Sequence, residues 1–297
     1  MTRRHLTVPE GAASERLDVY LAAALSLPRN RVQKLLQAAA VTVNGEPERP
    51  SYQVQPGDRL EVNEETPTVT PAPAPQLNII YEDDDLLVVN KPAGLAMHPG
   101  SGLEGEPTVA DFARHHTTDP DPERPGIVHR LDLDTSGLVI LAKTSESKAY
   151  LQQQFASRAV HKTYTTLVVG RPSPAEAVIR LPLDRDPARP LRRSVIPGGR
   201  EAVTRYRTLQ TYPGYALLEA NPETGRTHQI RVHLASIGHP VAGDTLYGPP
   251  RRPLGLNRQF LHASALEFTA PSGQHLQLES PLPPDLVNIR RELEKQV

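Results

Sequence analysis

The chain has 297 residues, 38% of them hydrophobic, with 33 Lys and Arg against 34 Asp and Glu and a formal net charge of -1. That is enough for one large and one small domain, and it means that any basic face is balanced elsewhere. There is no cysteine, which excludes disulfides, thiolate metal sites, iron–sulfur clusters and cysteine nucleophiles. No apolar stretch approaches the ~20 residues that cross a bilayer, and the segment from Met1 to Val8 lacks the apolar core of a secretory signal. A cytoplasmic protein without membrane contact is the expectation, with the monomer as default state.

The first elements form a small unit, residues 1–63. Leu17, Tyr20, Leu21 and Leu25 recur at helical spacing, with Ser14 as the expected N-cap. A second helix is expected from Pro28, with Val32, Leu35 and Leu36 turned inward and Arg29, Arg31 and Lys34 on its open side. Val41 to Gly45 alternates and ends in an Asn44-Gly45 hairpin turn. A further strand lies within Val54 to Val62, interrupted at Pro56-Gly57-Asp58. Two helices and a small curled sheet make a binding module, too small for a buried active site. Residues 64–76, with four prolines and no hydrophobic period, read as an extended linker.

In this first unit, the pattern Arg16-Leu17-Asp18, Ser26 with Arg29 and Arg31, Val41 to Gly45 and Pro56 to Asp58 resembles the S4-like (alpha-L) RNA-binding module. That module occurs in a ribosomal protein and in RNA-modifying enzymes. Taken alone, Arg29, Arg31 and Lys34 are an ordinary solvated helix face; the resemblance implies RNA contacts. One departure is visible: Ala38-Ala39-Ala40 stands where the module usually carries a helix-ending glycine.

Residues 77–297 read as a second unit made mostly of strands. Strands are expected at Leu77–Tyr81, Leu86–Asn90, Tyr164–Val169, Val178–Leu183, Ala202–Leu209, Tyr215–Ala220, Leu261–Phe268 and Leu276–Glu279. Leu138 to Leu141, too short for a helix, suits a fully buried strand. Helical pattern appears at Val109–His115, Ser145–Arg158 and Thr227–Ile237. Many strands with few helices indicate an α+β domain with a mixed, largely antiparallel sheet.

Motifs for several chemistries are missing: no Walker-type loop, no Gly-x-Gly-x-x-Gly after a strand, no Gly-x-Ser-x-Gly elbow. No two of the 11 histidines have the four-residue spacing of a helical metal pair, so neither a metal nor a nucleotide cofactor is expected. The informative stretch is His129 to Leu138, in which Asp132 follows Arg130 and precedes the polar turn Thr135-Ser136-Gly137. A carboxylate in a constrained loop that feeds a core strand is held on a rigid scaffold. A second constellation, Thr224 to His233, is expected to form a helix capped by Thr227, with Ile230, Leu234 and Ile237 buried and Gly238 at its end. Gln229 and His233 read there as a polar face. Arg231 borders the buried stripe and wants a carboxylate, for which Asp132 is a candidate, and such a pair would keep the aspartate ionised. Lys162 and Tyr164 lie where a helix gives way to a strand. Lys91 ends a strand before Pro92-Ala93-Gly94. Arg185, Arg189, Arg192, Arg193 and Arg200 make the region around Gly198-Gly199 locally positive, as phosphate contacts would require.

In this order, the segments Tyr81 to Asp83, Val89 to Pro92, His98-Pro99, His129 to Leu138, Lys162 to Tyr164, Thr224 to His233, Gly238 to Pro240 and Gly243-Asp244 resemble the RluA family of pseudouridine synthases over nearly all of residues 77–287. The resemblance implies the pseudouridine synthase fold and a cofactor-free, aspartate-dependent isomerisation of uridine in RNA. It implies Asp132 as the catalytic residue, Tyr164 against the uracil and Arg231 paired with the aspartate. Arg130 would displace the uridine from its helix. Lys91, Lys162, Arg192, Arg193 and Arg226 join Arg29, Arg31 and Lys34 as expected RNA contacts. With the small module beside it, the branch acting on 23S large-subunit ribosomal RNA is favoured. Transfer RNA is the alternative substrate, and a non-catalytic RNA-binding ribosome-assembly factor or a glycosidic hydrolase are the alternative activities.

Overall fold

The computed structural model describes residues 3–296 except 12–13, 28, 64–73, 101–102, 104, 190 and 250–252, and also leaves out the side chains of 30, 34, 37 and 253. Contacts divide the chain into two compact units, Met1–Pro71 and Ala72–Val297. The expected linker falls largely on residues outside the description, as do the expected helix start at Pro28 and the side chain of Lys34.

The first unit runs β1 (Arg3–Thr7), α1 (Leu17–Leu25), α2 (Arg29–Gln37), β2 (Val41–Val43), β3 (Glu46–Pro47) and β4 (Arg59–Asn63). Its sheet has the order β1-β4-β2-β3, every pairing antiparallel. The apolar positions read from the sequence meet in one core: Leu17, Leu21 and Leu25 of α1 pack with Val32, Leu35 and Leu36 of α2 over Val41, Val43, Leu60 and Val62. The N-cap of α1 is Arg16, not Ser14, and it caps without a side-chain bond. The two turns named above are coupled. Asn44 (φ 53°) and Gly45 (φ 90°) take the left-handed turn conformation, and the Asn44 amide donates to Asp58 Oδ1 at 2.8 Å. Asp58 Oδ2 accepts from the Gln55 N–H at 2.8 Å, closing the Pro56-Gly57 turn. At the end of α2, Ala39 itself takes the left-handed conformation (φ 52°), and the Ala40 N–H returns to Leu35 O at 2.9 Å. The helix therefore ends as a glycine would end it, with an alanine bearing the strain.

The second unit contains β5 (Asn78–Glu82), β6 (Leu86–Lys91), α3 (Val109–Ala113), β7 (Ser136–Ala142), α4 (Ser145–Ala156), β8 (His161–Val169) and β9 (Glu176–Arg180). It continues with β10 (Leu183–Arg185), β11 (Arg193–Val195), β12 (Val203–Tyr212), β13 (Tyr215–Pro222), α5 (Gln229–Ser236), β14 (Leu261–Thr269), β15 (His275–Glu279) and α6 (Pro284–Glu294). Nine strands form one sheet in the order β5-β6-β7-β14-β8-β13-β12-β9, with β15 on β14. Only the β7–β14 pairing is parallel, so the sheet is mixed and largely antiparallel. β10 and β11 form a separate antiparallel ribbon.

Helices cover both faces, which explains the unbroken apolar runs in β6 and β7. Leu87, Val89, Val139 and Leu141 face a core shared with α3, and Leu86, Val88, Leu138 and Ile140 face the opposite core beside Leu151 of α4. Ile230 and Leu234 of α5 pack on the β12–β13–β8 part of the sheet, and α6 seats Leu286 and Leu293 against Leu167 and Tyr212. β7 and β14 approach so closely that a Cβ on Gly137 (φ 118°) would lie 2.2 Å from Ala263 O. Only glycine fits that point, at the exit of the loop bearing Asp132.

Candidate active site

Register sets the site. Ala263 of β14 is paired with Gly137 of β7 on one side and with Tyr164 of β8 on the other, so Tyr164 lies two strands across the sheet from the end of the Asp132 loop. The same row continues to Ala220 of β13, two residues before the strand hands over to the segment that enters α5. Three segments distant in sequence thus converge on one cleft of about 580 Å³, lined by Arg130, Asp132, Lys162, Tyr164, Arg226, His228 and Arg231 among others.

The Asp132 loop is held by its main chain. The carbonyl of Asp132 accepts from the Thr135 N–H at 3.1 Å, and that of Leu133 from the Gly94 N–H at 3.0 Å. Leu133 O also accepts from Lys91 Nζ at 2.9 Å, and Asp134 O accepts from Arg258 Nη1 at 3.0 Å. Arg258 is itself fixed by Asp285 of α6 at 2.7 Å. Three consecutive carbonyls tied to fixed donors leave the carboxylate few ways to turn, the preorganisation that a reactive group needs.

Lys91 corrects an expectation. Its side chain is fully buried, and Nζ donates to Pro92 O at 2.8 Å, Leu95 O at 2.8 Å and Leu133 O at 2.9 Å. Three carbonyls match the three N–H donors of an ammonium group. Burial pulls its pKa down to about 7, opposed by Asp134 and Asp132. Lys91 is an internal clamp on the Asp132 loop, not an RNA contact.

Arg231 Nη1 donates to Asp132 Oδ2 at 3.0 Å, the expected pair. Its other edge makes a two-point contact with Asp244, Nε to Oδ2 at 2.7 Å and Nη2 to Oδ1 at 3.0 Å. Burial opposes the charge on Arg231, but Asp244 and Asp132 outweigh it and raise its pKa. Asp244 is the residue that aims the guanidinium. In the sequence Asp244 stands only in the Gly243-Asp244 landmark, where nothing local marks this part.

Helix α5 begins later than expected. His228, not Thr227, is its N-cap, in the left-handed conformation (φ 58°). Gln229 and His233, expected on a polar face, are buried. Gln229 Nε2 donates to Val203 O at 2.9 Å, its Oε1 accepts from Thr224 Oγ1 at 2.6 Å, and His233 lies 2.9 Å from both Thr204 Oγ1 and Leu181 O. These two side chains staple α5 to β12, a polar use of an inward face that hydrophobic periodicity does not register.

The remaining expected residues separate into two groups. Arg130 is exposed on the cleft. Lys162 is drawn down to about 8 by burial, with Nζ 5.9 Å from the Phe155 ring centroid. Burial, then the nearby Asp132, push the Tyr164 hydroxyl well above its usual range, which favours the neutral phenol. Arg226 Nε donates to Glu201 O at 2.9 Å. Arg192 and Arg193 lie outside the cleft lining, at the β10–β11 ribbon: the Arg192 guanidinium stacks 5.1 Å from the Tyr247 centroid, and the Arg193 N–H donates to Tyr247 Oη at 2.8 Å. In the first unit, Arg29 Nε donates at 3.0 Å to Asp18, which is fully buried and also accepts from Arg16 and Gln33. Arg31 is exposed on the same helix.

A model of the RNA pseudouridylate synthase family matches residues 85–236, and one of the S4 domain matches residues 15–60. The chain belongs to the RNA pseudouridine synthases. A protein of Chloroflexus aurantiacus described as an uncharacterised RNA pseudouridine synthase is 44% identical, over 98% of this chain and 94% of its own. The ribosomal large subunit pseudouridine synthase D of Nitrosomonas europaea is 40% identical, over 95% of this chain and 85% of its own. Among solved structures, human RNA pseudouridylate synthase domain containing 4 superposes with a TM-score of 0.57 at 28% identity, covering 73% of this chain and 93% of that one. The synthase model spans the Asp132 loop, Tyr164 and Arg231, and the S4 model spans both helices of the first unit. Among the described residues no helix is long and apolar enough to cross a membrane, and no cluster of His, Asp and Glu could hold a metal.

Proposed function

We propose that this synthase isomerises uridine in large-subunit ribosomal RNA, with Asp132 acting at the ribose of an extruded nucleotide and with no cofactor. The observation that carries the reading is Asp132 in the cleft, its Oδ2 fixed 3.0 Å from Arg231. The substrate class is supported by the likeness to the synthase of Nitrosomonas europaea named for the ribosomal large subunit and by the S4 domain.

The reaction breaks the bond from the anomeric carbon to uracil N1, turns the detached ring, and joins the anomeric carbon to C5. Water takes the proton from C5, and N1, freed from the sugar, takes one back from water. No electrons are exchanged with another reagent. A carboxylate serves as nucleophile at the anomeric carbon or as base on the adjacent sugar proton. Arg231 stays charged and keeps its hold while charge moves on the ring of atoms next to it. Tyr164, as a neutral phenol on the cleft wall, bears on the uracil plane and offers an O–H to the detached base. Reaching the anomeric carbon in a helix requires unstacking at a cost of a few kcal/mol, and Arg130, exposed at the cleft, has the length to fill the vacated space. Lys162 and Arg226 line the same cleft, as phosphate contacts would; Arg192, Arg193, Arg29, Arg31 and Lys34 are proposed as outlying ones.

The test follows from the bond that is broken at C5. A 23S ribosomal RNA transcript carrying tritium at uridine C5 releases it to water when pseudouridine forms. Asp132→Asn is expected to slow release by about 10³-fold or more while RNA binding holds. Undiminished release would refute the assignment of Asp132. Mapping pseudouridine in large-subunit and transfer RNA from cells with and without the gene identifies the uridine. Loss confined to transfer RNA would overturn the substrate class.

A further inference from the structure

One polar side chain at the cleft has no part in the scheme above. His228 Nε2 lies 4.0 Å from Asp132 Oδ1, the carboxylate oxygen that Arg231 does not hold. That distance is too long for a hydrogen bond. Both residues line the cleft, and an atom about 2.8 Å from each end would bridge them.

The proton on His228 can be placed from its partners. Tyr247 Oη accepts from the Arg193 main-chain N–H at 2.8 Å and lies 2.8 Å from His228 Nδ1. With its acceptor side used by Arg193, the phenol donates its own hydrogen to Nδ1. Nδ1 is then the bare nitrogen, and in the neutral ring Nε2 carries the hydrogen. Burial lowers the pKa of His228, which favours the neutral ring. The Tyr247 ring lies edge-on to the imidazole at 74°, and the guanidinium groups of Arg192 and Arg231 lie 5.1 and 5.2 Å from its centroid. His228 keeps a left-handed backbone conformation (φ 58°), which costs a non-glycine residue strain.

An N–H and a carboxylate oxygen therefore face a gap sized for one atom, and that atom must accept from the first and donate to the second. Within a nucleotide inside an RNA chain, the uracil carbonyls and the ring and ester oxygens of the sugar only accept, and uracil N3 only donates. The ribose 2′-hydroxyl does both. It is also bonded to the carbon next to the anomeric centre, where Asp132 acts in the reading above.

We propose that His228 and Asp132 together read the 2′-hydroxyl of the target nucleotide, Nε2–H donating to its oxygen and Oδ1 accepting its hydrogen. This rests on Asp132 acting at the ribose. His228 is a substrate-contacting residue that selects ribose over deoxyribose, and Tyr247 is the positioning residue that sets its tautomer.

The test is a thermodynamic cycle on single-turnover rates. A stem-loop oligoribonucleotide carries the uridine that mapping identifies, as uridine or as 2′-deoxyuridine at that one position. Any intrinsic effect of the missing hydroxyl on bond cleavage is common to every protein variant and cancels. In the unaltered protein the deoxy substrate is expected to react more slowly by ~10-fold or more; in His228→Ala the ribose preference is expected to shrink by about tenfold, with little change in RNA affinity. Tyr247→Phe leaves the imidazole and its backbone in place and frees the tautomer, so it is expected to lose part of the preference, by ~3-fold. Nitrogen chemical shifts of the free protein should show His228 with Nε2 protonated. The preference surviving unchanged in both variants would overturn the proposal, and so would an Nδ1-protonated ring. Asp132→Asn on the ribose substrate serves as the separate control: if it stays active the parent reading fails, and if it is inactive while the cycle shows no coupling, only His228 is misassigned.

Discussion

Replacing Asp244 by alanine should expose how the site is held. Asp244 is almost wholly buried (1% exposed), and Arg231 beside it is 8% exposed. Without Asp244 the guanidinium loses two bonds of 2.7 and 3.0 Å and keeps only Asp132 at 3.0 Å. The Leu246 and Tyr247 N–H groups, 3.0 and 3.2 Å from Asp244 Oδ1, lose an acceptor as well. Removing one partner of a buried ion pair costs about 3–5 kcal/mol; here Arg231 keeps Asp132 as its counter-charge but is left with two buried donors unpaired. In a unit of this size that lowers the melting temperature by roughly 10 °C. The double variant Arg231→Met, Asp244→Leu takes away both charges, leaves only the Leu246 and Tyr247 N–H groups without their acceptor, and is expected to recover ~2 kcal/mol or more relative to Asp244→Ala. It should nonetheless stay inactive, since Asp132 has lost its guanidinium. Thermal and urea unfolding read the stability, and tritium release reads the chemistry. If Asp244→Ala melts within ~2 °C of the unaltered protein, or if the double variant is no more stable than the single one, the argument about Arg231 is wrong.

Three further outcomes are expected. Lys91→Met removes the donor to three carbonyls and should cost about 2–4 kcal/mol and slow catalysis without weakening RNA binding; a selective loss of RNA affinity would restore Lys91 as a contact. Ala39→Gly relieves a left-handed alanine and should stabilise the first unit by roughly 0.5–1 kcal/mol, read from its urea midpoint; destabilisation would refute a strained helix end. His129 accepts from the Ile140 N–H at 2.9 Å through Nε2, and burial, with Lys162 adding to it, brings its pKa down to about 3 from 6.5. Below 6.5 the unfolded chain therefore takes up a proton that the folded chain refuses, so this contribution is complete above about 6.5 and declines toward about 3. His129→Gln, whose amide oxygen can still accept from Ile140, should flatten the fall in urea midpoint between neutral and acid pH; an unchanged pH profile would count against the mechanism.

Much of this protein could be read directly from its residues. The helical stripe of Leu17, Leu21 and Leu25, the Asn44-Gly45 turn and the apolar run after Gly137 are local patterns whose periods report their own burial, so both cores and the α+β class followed from them. Asp132 was legible for a similar reason: a carboxylate wedged between a cation and a turn leading into a buried strand has few bland explanations. The Arg231–Asp132 pair was inferred from the cost of leaving a guanidinium beside an apolar stripe. What escaped were matters of partnership. Lys91 looked like a surface cation because sequence shows its type and not the three carbonyls that surround it, though its place at the end of a strand buried on both faces was a hint. Gln229 and His233 looked solvated because polar side chains that satisfy each other inside leave no mark on hydrophobic periodicity. Asp244 and Tyr247 acquire their parts only when the segment after α5 folds back on the cleft, for their partners Arg231, His228 and Arg193 lie 13, 19 and 54 residues away, beyond any helix or strand period. Local chemistry was written in the chain; which donor meets which acceptor was decided by the sheet.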